Sequence, residues 1–201
     1  MKKLLYTLIF FSLSLTVLAD ETKTYFRADY GLGKFKTDKL DSLNANPDGS
    51  TIGLAFGSRM SYVEFGAFYR SSSFESDITH DNVANKISHD GKTFGLDLNV
   101  FLNNHLSLKL GYAFHTYKQK LGTSVNAATF NAIKTRYGLK EEDSSSNIFY
   151  GANVDVFGSK SFDIYASLLH FPMGSDQSET TAQLGIRFYM NSSFADFFGA
   201  N

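Results

Sequence analysis

From Phe94 to Tyr117 the chain alternates. Phe94, Leu96, Leu98, Val100 and Leu102 stand against Gly95, Asp97, Asn99 and Phe101. After Asn103-Asn104-His105 the alternation resumes, with Leu106, Leu108, Leu110, Tyr112 and Phe114 against Ser107, Lys109, Gly111, Ala113 and His115. A period of two is the mark of extended strands with one apolar and one polar face, and the polar break between the two runs reads as a tight turn. Each run lasts about ten residues, long for a soluble strand and matched to a tilted membrane crossing.

The same period recurs along the chain and predicts six further strands: Tyr25–Lys34, Thr51–Arg59, Tyr62–Ser71, Asn147–Phe157, Phe162–His170 and Thr180–Met190. Around the central hairpin these make eight. Short turns are expected at Met60-Ser61, Asn103–His105 and Gly158–Ser161. Longer polar connections are expected at Thr37–Ser50 (with the turn signal Asn46-Pro47-Asp48-Gly49), Ser72–Gly91, Gln119–Ser146 and around Pro172-Met173-Gly174. Within the third, Val125–Tyr137 could form a short helix.

The two faces differ in charge. No side chain on the apolar face of these strands is charged, whereas Arg27, Asp29, Glu64, Arg70, Asp97, Lys109, Asp155, Asp163 and Arg187 all fall on the other face, with His115. A charge at the bilayer midplane on a barrel's lipid side costs roughly 2–4 kcal/mol for Arg or Lys, so this asymmetry is expected of a strand facing lipid. Long and short connections also alternate, as they do in outer-membrane barrels. A soluble eight-stranded barrel of lipocalin type would instead crowd these charges into a dry core. The expected fold is therefore an all-β, eight-stranded antiparallel up-and-down transmembrane barrel, with short periplasmic turns and long external loops.

Such a barrel is just wide enough for side chains to fill its interior. The near-balance of inward charges points to a self-paired polar lumen, with inward glycines such as Gly53, Gly111 and Gly185 making room for the long side chains. A continuous polar route past Arg27, Glu64, Lys109 and Asp155 would instead make a narrow pore.

Composition adds boundaries. Lys2 and Lys3 precede an apolar Leu4–Leu15 run and a small-residue site at Val17-Leu18-Ala19, the pattern of a cleavable signal peptide over residues 1–19. The barrel is expected over 20–190 and a short tail over 191–201. The whole chain carries 19 basic and 20 acidic residues; without Lys2 and Lys3 its net charge is about −3, which leaves no basic footprint for nucleic acid. Cysteine is absent, so thiol and disulfide chemistry are excluded. Tryptophan is absent too, while 20 Phe and 11 Tyr supply the aromatic surface. Tyr25, Tyr62, Tyr69, Tyr117 and Phe162, near strand ends, are expected in the interfacial girdles.

The architecture, together with Ala182-Gln183-Leu184-Gly185-Ile186-Arg187-Phe188, resembles the small outer-membrane barrel superfamily that includes the transmembrane domain of outer membrane protein A and the opacity-type porin-like proteins. The resemblance covers about Tyr25–Met190. It implies an outer-membrane location in a Gram-negative bacterium, and an assembly signal at Leu184, Ile186 and Phe188 read by the barrel assembly machinery. It further implies a monomer in contact with outer-membrane lipid and lipopolysaccharide, with loops open to a host or cell-surface ligand. No cofactor, metal or nucleic acid is implied. About a dozen residues follow the signal, too few for a peptidoglycan-binding domain.

Some barrels of this size hydrolyse lipid A, which needs a histidine, a serine and a carboxylate at the outer rim. Neither His115-Thr116-Tyr117 nor His170-Phe171-Pro172 has the deacylase His–x–Ser spacing. His170 with Ser175 and Glu179, and His89 with Ser88 and Asp90, are the remaining groupings. His80, Asp81, His89 and Asp90 could in principle meet at a metal, and Glu141-Glu142-Asp143 could attract divalent cations. The expectation is no catalysis and no metal.

Overall fold

The computed structural model describes residues 22–37, 47–80, 83–121, 128, 131–132, 134–135, 142–173 and 177–190. The expected signal peptide, the tail beyond 190 and Ser175 lie outside these. So does most of the expected Val125–Tyr137 helix, of which the described residues Ala128, Asn131, Ala132, Lys134 and Thr135 are helical.

Eight strands close into one antiparallel ring in sequence order: β1 Lys23–Thr37, β2 Asp48–Met60, β3 Val63–His80, β4 Val83–Phe101, β5 Leu106–Leu121, β6 Glu142–Gly158, β7 Phe162–Pro172 and β8 Gln177–Met190. The last strand pairs with the first from Thr24↔Met190 to Thr37↔Gln177, so no edge is left open. Closure satisfies every ladder, as hydrocarbon surroundings require. Among the described residues no helix is long and apolar enough to cross a membrane.

Three short connections share one end of the ring with the start of β1 and the end of β8. In the β4–β5 turn, the Asn103 carboxamide oxygen accepts from the backbone N–H groups of His105 (2.8 Å) and Leu106 (2.9 Å). In the β6–β7 turn, the Ser159 hydroxyl accepts from Phe162 N–H at 3.0 Å. This is the turn end, and the opposite end is the loop end. Near the turn end a bulge in β6 at Asp155/Phe157 sends both Val156 and Phe157 outward.

The strands outrun their expected length at the loop end. The stretch expected as a second polar loop, Ser72–Gly91, is almost wholly strand: β3 and β4 pair continuously from Val63↔Val100 to His80↔Val83. A membrane crossing needs only about 9–11 residues, whereas β3 and β4 have 18 and 19. Outside the bilayer both faces can be polar, so the hydrophobic alternation fades while the ladder continues. For the same reason Asp48 and Gly49 begin β2 instead of completing a turn, and Glu142–Ser146 belong to β6.

Candidate functional site: a lipid-facing belt around a charged and aromatic lumen

The outward side chains form a belt. Tyr30, Leu54, Phe65, Leu96, Leu110, Val154, Leu168 and Leu184, one from each strand in turn, are all exposed; Leu110 is 52% and Leu168 58% accessible. Apolar surface on every side of a closed ring has no aqueous explanation in a monomer, and a patch of a few hundred Å² already marks an interaction surface. Beyond the belt, toward the loop end, the outward face changes to ion pairs: Lys34–Asp48 (3.8 Å), Lys118–Glu142 (3.2 Å), Lys120–Asp90 (3.6 Å) and Lys86–Glu75. Leu184, Ile186 and Phe188 of β8 lie on the belt, within the ladders that join β8 to β1 and β7.

Inside, the polarity is reversed. Glu64 on β3, fully buried, bridges two arginines from the strands that close the ring. Arg27 on β1 and Arg187 on β8 are directly opposite in the ladder. Arg27 Nη1 donates to Glu64 Oε1 at 3.3 Å, while Arg187 Nε lies 2.9 Å from Glu64 Oε2. Arg27 Nη2 also donates to Asp97 at 2.6 Å; Asp97 pairs with Lys109 at 3.3 Å, and Asp29 lies 3.7 Å from Arg27. Asn99 donates to Glu64 at 2.8 Å, and Asn153 donates to Asn99 at 2.8 Å. Toward the turn end, Asp163 Oδ2 accepts from Arg59 (3.0 Å), Arg187 (3.1 Å) and the Tyr189 hydroxyl. Asp155 reaches Arg187 at 3.7 Å, and the Arg59 guanidinium covers Phe101 at 4.0 Å. Two inward glycines make this packing possible: a Cβ on Gly185 would meet the Tyr165 ring at 2.3 Å, and one on Gly111 would meet Phe149 at 2.2 Å.

Above this network the lumen becomes aromatic. Phe149 stacks on Phe171 with centroids 4.5 Å apart, and Phe68 meets Phe149 edge-on at 5.2 Å. An isolated ion pair, Arg70 with Glu179, is embedded here; Arg70 also donates to Thr181 at 3.1 Å and lies 4.5 Å over the Phe171 ring. His115 Nδ1 is 2.9 Å from the Thr93 hydroxyl. Nearer the loop end, His89 is sandwiched between Phe35 (3.6 Å) and Tyr117 (4.6 Å). The space between the charged network and the aromatic layer, lined by Arg27, Asp97, Lys109, Arg70, Phe149 and Phe171, is about 10 Å³, room for roughly one water. The route expected for a narrow pore, past Arg27, Glu64, Lys109 and Asp155, is thus occupied by paired side chains.

Two expectations need correction. Tyr25 and Tyr117 are not in the girdles: both are buried and share the lumen face with Arg27 and His115. Strand parity places them there, since a residue two positions from an inward one is itself inward. Tyr62 and Tyr69 are exposed, and Phe162 packs at a tilt against Phe157 and Phe188 on the outer surface. The aromatic plug of Phe35, Phe74 and Phe171 was missed altogether, because its residues lie just past the ends of the predicted strands, where the apolar alternation stops.

Among the described residues, the histidine and carboxylate of each catalytic grouping lie on opposite sides of the sheet. His170 is bonded to the Thr180 hydroxyl at 2.8 Å and lies beside Tyr150, on the outward side. Glu179 is one residue on from Ser178 and faces inward to Arg70, so the carboxylate lies behind the sheet from His170. His89 is likewise inward, while its neighbour Asp90 is outward, accepting from Ser73 at 2.8 Å. Glu142 is taken by Lys118, and the Tyr117 hydroxyl donates to Asp143 at 3.2 Å. Among the described residues no three His, Cys, Asp or Glu side chains gather as metal ligands.

A closed ring with lipid-compatible walls and a charged, plugged interior defines a transmembrane β-barrel. No protein-family model matches the chain and no curated protein matches it. Among solved structures it is similar to Ail, the attachment invasion locus protein of Yersinia pestis, at 18% identity over 85% of this chain and 99% of that one, with a TM-score of 0.49. It is also similar to Neisserial surface protein A (11% identity, 84% and 99% covered, TM-score 0.49). A third is the outer membrane protein OprG of Pseudomonas aeruginosa (9%, 87% and 98%, 0.47). The belt and the lumen, not these likenesses, mark this chain as membrane-spanning.

Proposed function

We propose that the chain is a non-catalytic outer-membrane barrel of a Gram-negative bacterium, a monomer inserted by the barrel assembly machinery through its Leu184-Ile186-Phe188 strand. The loop end faces outward. The barrel is a sealed anchor, and its role is structural or interactive: it supports the envelope and presents its external loops, with the long β3–β4 hairpin, to lipopolysaccharide or to a cell-surface ligand. The observation that carries this reading is the pairing of an apolar belt on every strand with a lumen closed by the Glu64 network and the Phe149–Phe171 layer. A hydrolytic role would need His170 and a carboxylate on one side of the sheet, and Glu179 is on the other.

Lipid A from outer membranes with and without the expressed chain tests this, compared by mass spectrometry after a heat-dependent gel shift has confirmed folding. Unchanged acylation is expected; gain or loss of an acyl chain would overturn the non-catalytic role.

A further inference from the structure

On the outer wall, β4 and β5 line up a column of side chains whose chemistry changes along the strands. Leu98↔Leu110 and Leu96↔Tyr112 pair in the belt; Phe94↔Phe114 comes next toward the loop end, and Lys92↔Thr116 after that. Leu96, Leu98, Leu110 and Tyr112, with Ile148 of β6, wall a shallow groove of about 380 Å³ floored by the backbone at Asp97 and Gly111. Phe94 and Phe114 stack at 5.0 Å above it, and Tyr112 meets Phe114 edge-on.

Lys92 then stands at the upper margin of the belt. Its ladder neighbours are Ser71 on β3 and Thr116 on β5, and all three side chains are exposed. Among the described residues the Lys92 ammonium has no carboxylate partner, unlike Lys34, Lys86, Lys118 and Lys120 on the same outer surface. The next outward carboxylate on its strand, Asp90, is already engaged by Ser73 and Lys120. From the groove floor at Asp97 to Lys92 is five residues of strand, about 17 Å.

An unpaired ammonium flanked by two hydroxyls, a stacked aromatic collar and an apolar groove in one column match the anionic head and hydrocarbon chain of an amphiphile. We infer that this wall of β4 and β5 holds a phosphate-bearing lipid of the leaflet at the loop end. The phosphate binds at Lys92 between Ser71 and Thr116, and one acyl chain lies in the Leu96–Leu110 groove. The inference deepens the proposed role and rests on it: the occupant is a lipid only if the belt lies in a bilayer.

The test is native mass spectrometry of the folded protein released from detergent, with bisphosphorylated lipid A as probe. Wild type should retain the lipid, and Lys92→Gln should retain about fivefold less, the effect of one basic side chain at a membrane surface. Lys34→Gln, on the far side of the ring, should retain as much as wild type. Lipid A stripped of its phosphates should bind wild type as weakly as intact lipid binds Lys92→Gln, and excess inorganic phosphate should not displace the intact lipid. Equal retention by Lys92→Gln, indifference to the phosphates, or displacement by inorganic phosphate would each overturn the site. Lys92→Met supplies the same comparison if Lys92→Gln gives no folded band. A wild-type chain with no heat-shifted band would contradict the barrel reading itself; a folded barrel indifferent to Lys92 would contradict the lipid site alone.

Discussion

Arg27 and Arg187 face each other across the ladder that closes the ring, and the Glu64 carboxylate lies between them, one oxygen toward each. The first and last strands thus bring two cations together in a buried site, and a side chain from β3 is shared by both, with Asp97 and Asp163 completing the balance. The seam and the lumen are one electrostatic unit.

Glu64→Gln keeps the shape and removes the one carboxylate shared by both arginines, while Arg27 keeps Asp97 and Arg187 keeps Asp163. Breaking a buried pair outright costs about 3–5 kcal/mol, and the remaining carboxylates make that the upper bound here. The urea midpoint for unfolding from phospholipid vesicles, read by the heat-dependent gel shift, should fall accordingly; a midpoint equal to wild type would contradict a bridging role for Glu64.

Placement of charge on the wall should depend on depth. Leu110→Arg, within the belt, is expected to cost roughly 2–4 kcal/mol, and Tyr62→Arg, in the β2–β3 turn, roughly 0–1 kcal/mol. Vesicle unfolding of the two variants side by side checks the gradient, and equal costs would argue against a bilayer around the belt.

The lumen should conduct poorly. In planar bilayers the wild-type barrel is expected to show no resolved ion channel, because Phe149 and Phe171 stack across the interior and the neighbouring space holds about one water. A Phe149→Ala/Phe171→Ala variant should raise the current. A large, steady wild-type conductance would remove the sealed-anchor role.

His89 lies on the part of β4 beyond the belt, where the outward neighbours Ser88 and Asp90 are polar. Burial between Phe35 and Tyr117 pushes its pKa down to about 3, with Asp90 pulling weakly the other way. The unfolded imidazole, with its ordinary pKa near 6.5, therefore binds a proton that the folded one refuses over roughly pH 6.5 to 3. His89 makes stability fall as pH drops through that window. His89→Phe should flatten the dependence by its share, seen as a smaller difference between unfolding midpoints at pH 7 and pH 4; an unchanged difference would contradict the burial.

Inside and outside were legible in the sequence because lipid imposes a rule on every second residue. Leu96 against Asp97 and Leu110 against Lys109 already separate the faces. Two kinds of feature were hidden. Strand beyond the bilayer, as at Ser76–His80 and Val83–Lys86, has polar residues on both faces and so reads as a loop although its ladder is complete. Ion pairing between strands depends on register and tilt, which no local pattern carries: nothing near Glu64 names Arg187, 123 positions away, as its partner. The lysine at the belt's margin was equally silent, since its lack of a carboxylate partner emerges only once the other lysines have found theirs.

The most direct test of the central claim uses the absence of native cysteine. Single cysteines at Leu54, Leu110 and Leu168 on the belt, and at Ser159 in a turn, would carry a nitroxide in the vesicle-inserted protein. Relaxation would then be compared in oxygen, which partitions into lipid, and in a water-soluble nickel complex. Labels at all three belt positions should respond to oxygen and resist nickel, with Ser159 showing the reverse. Belt labels relaxed by nickel as strongly as the Ser159 label would mean that the apolar wall does not lie in lipid.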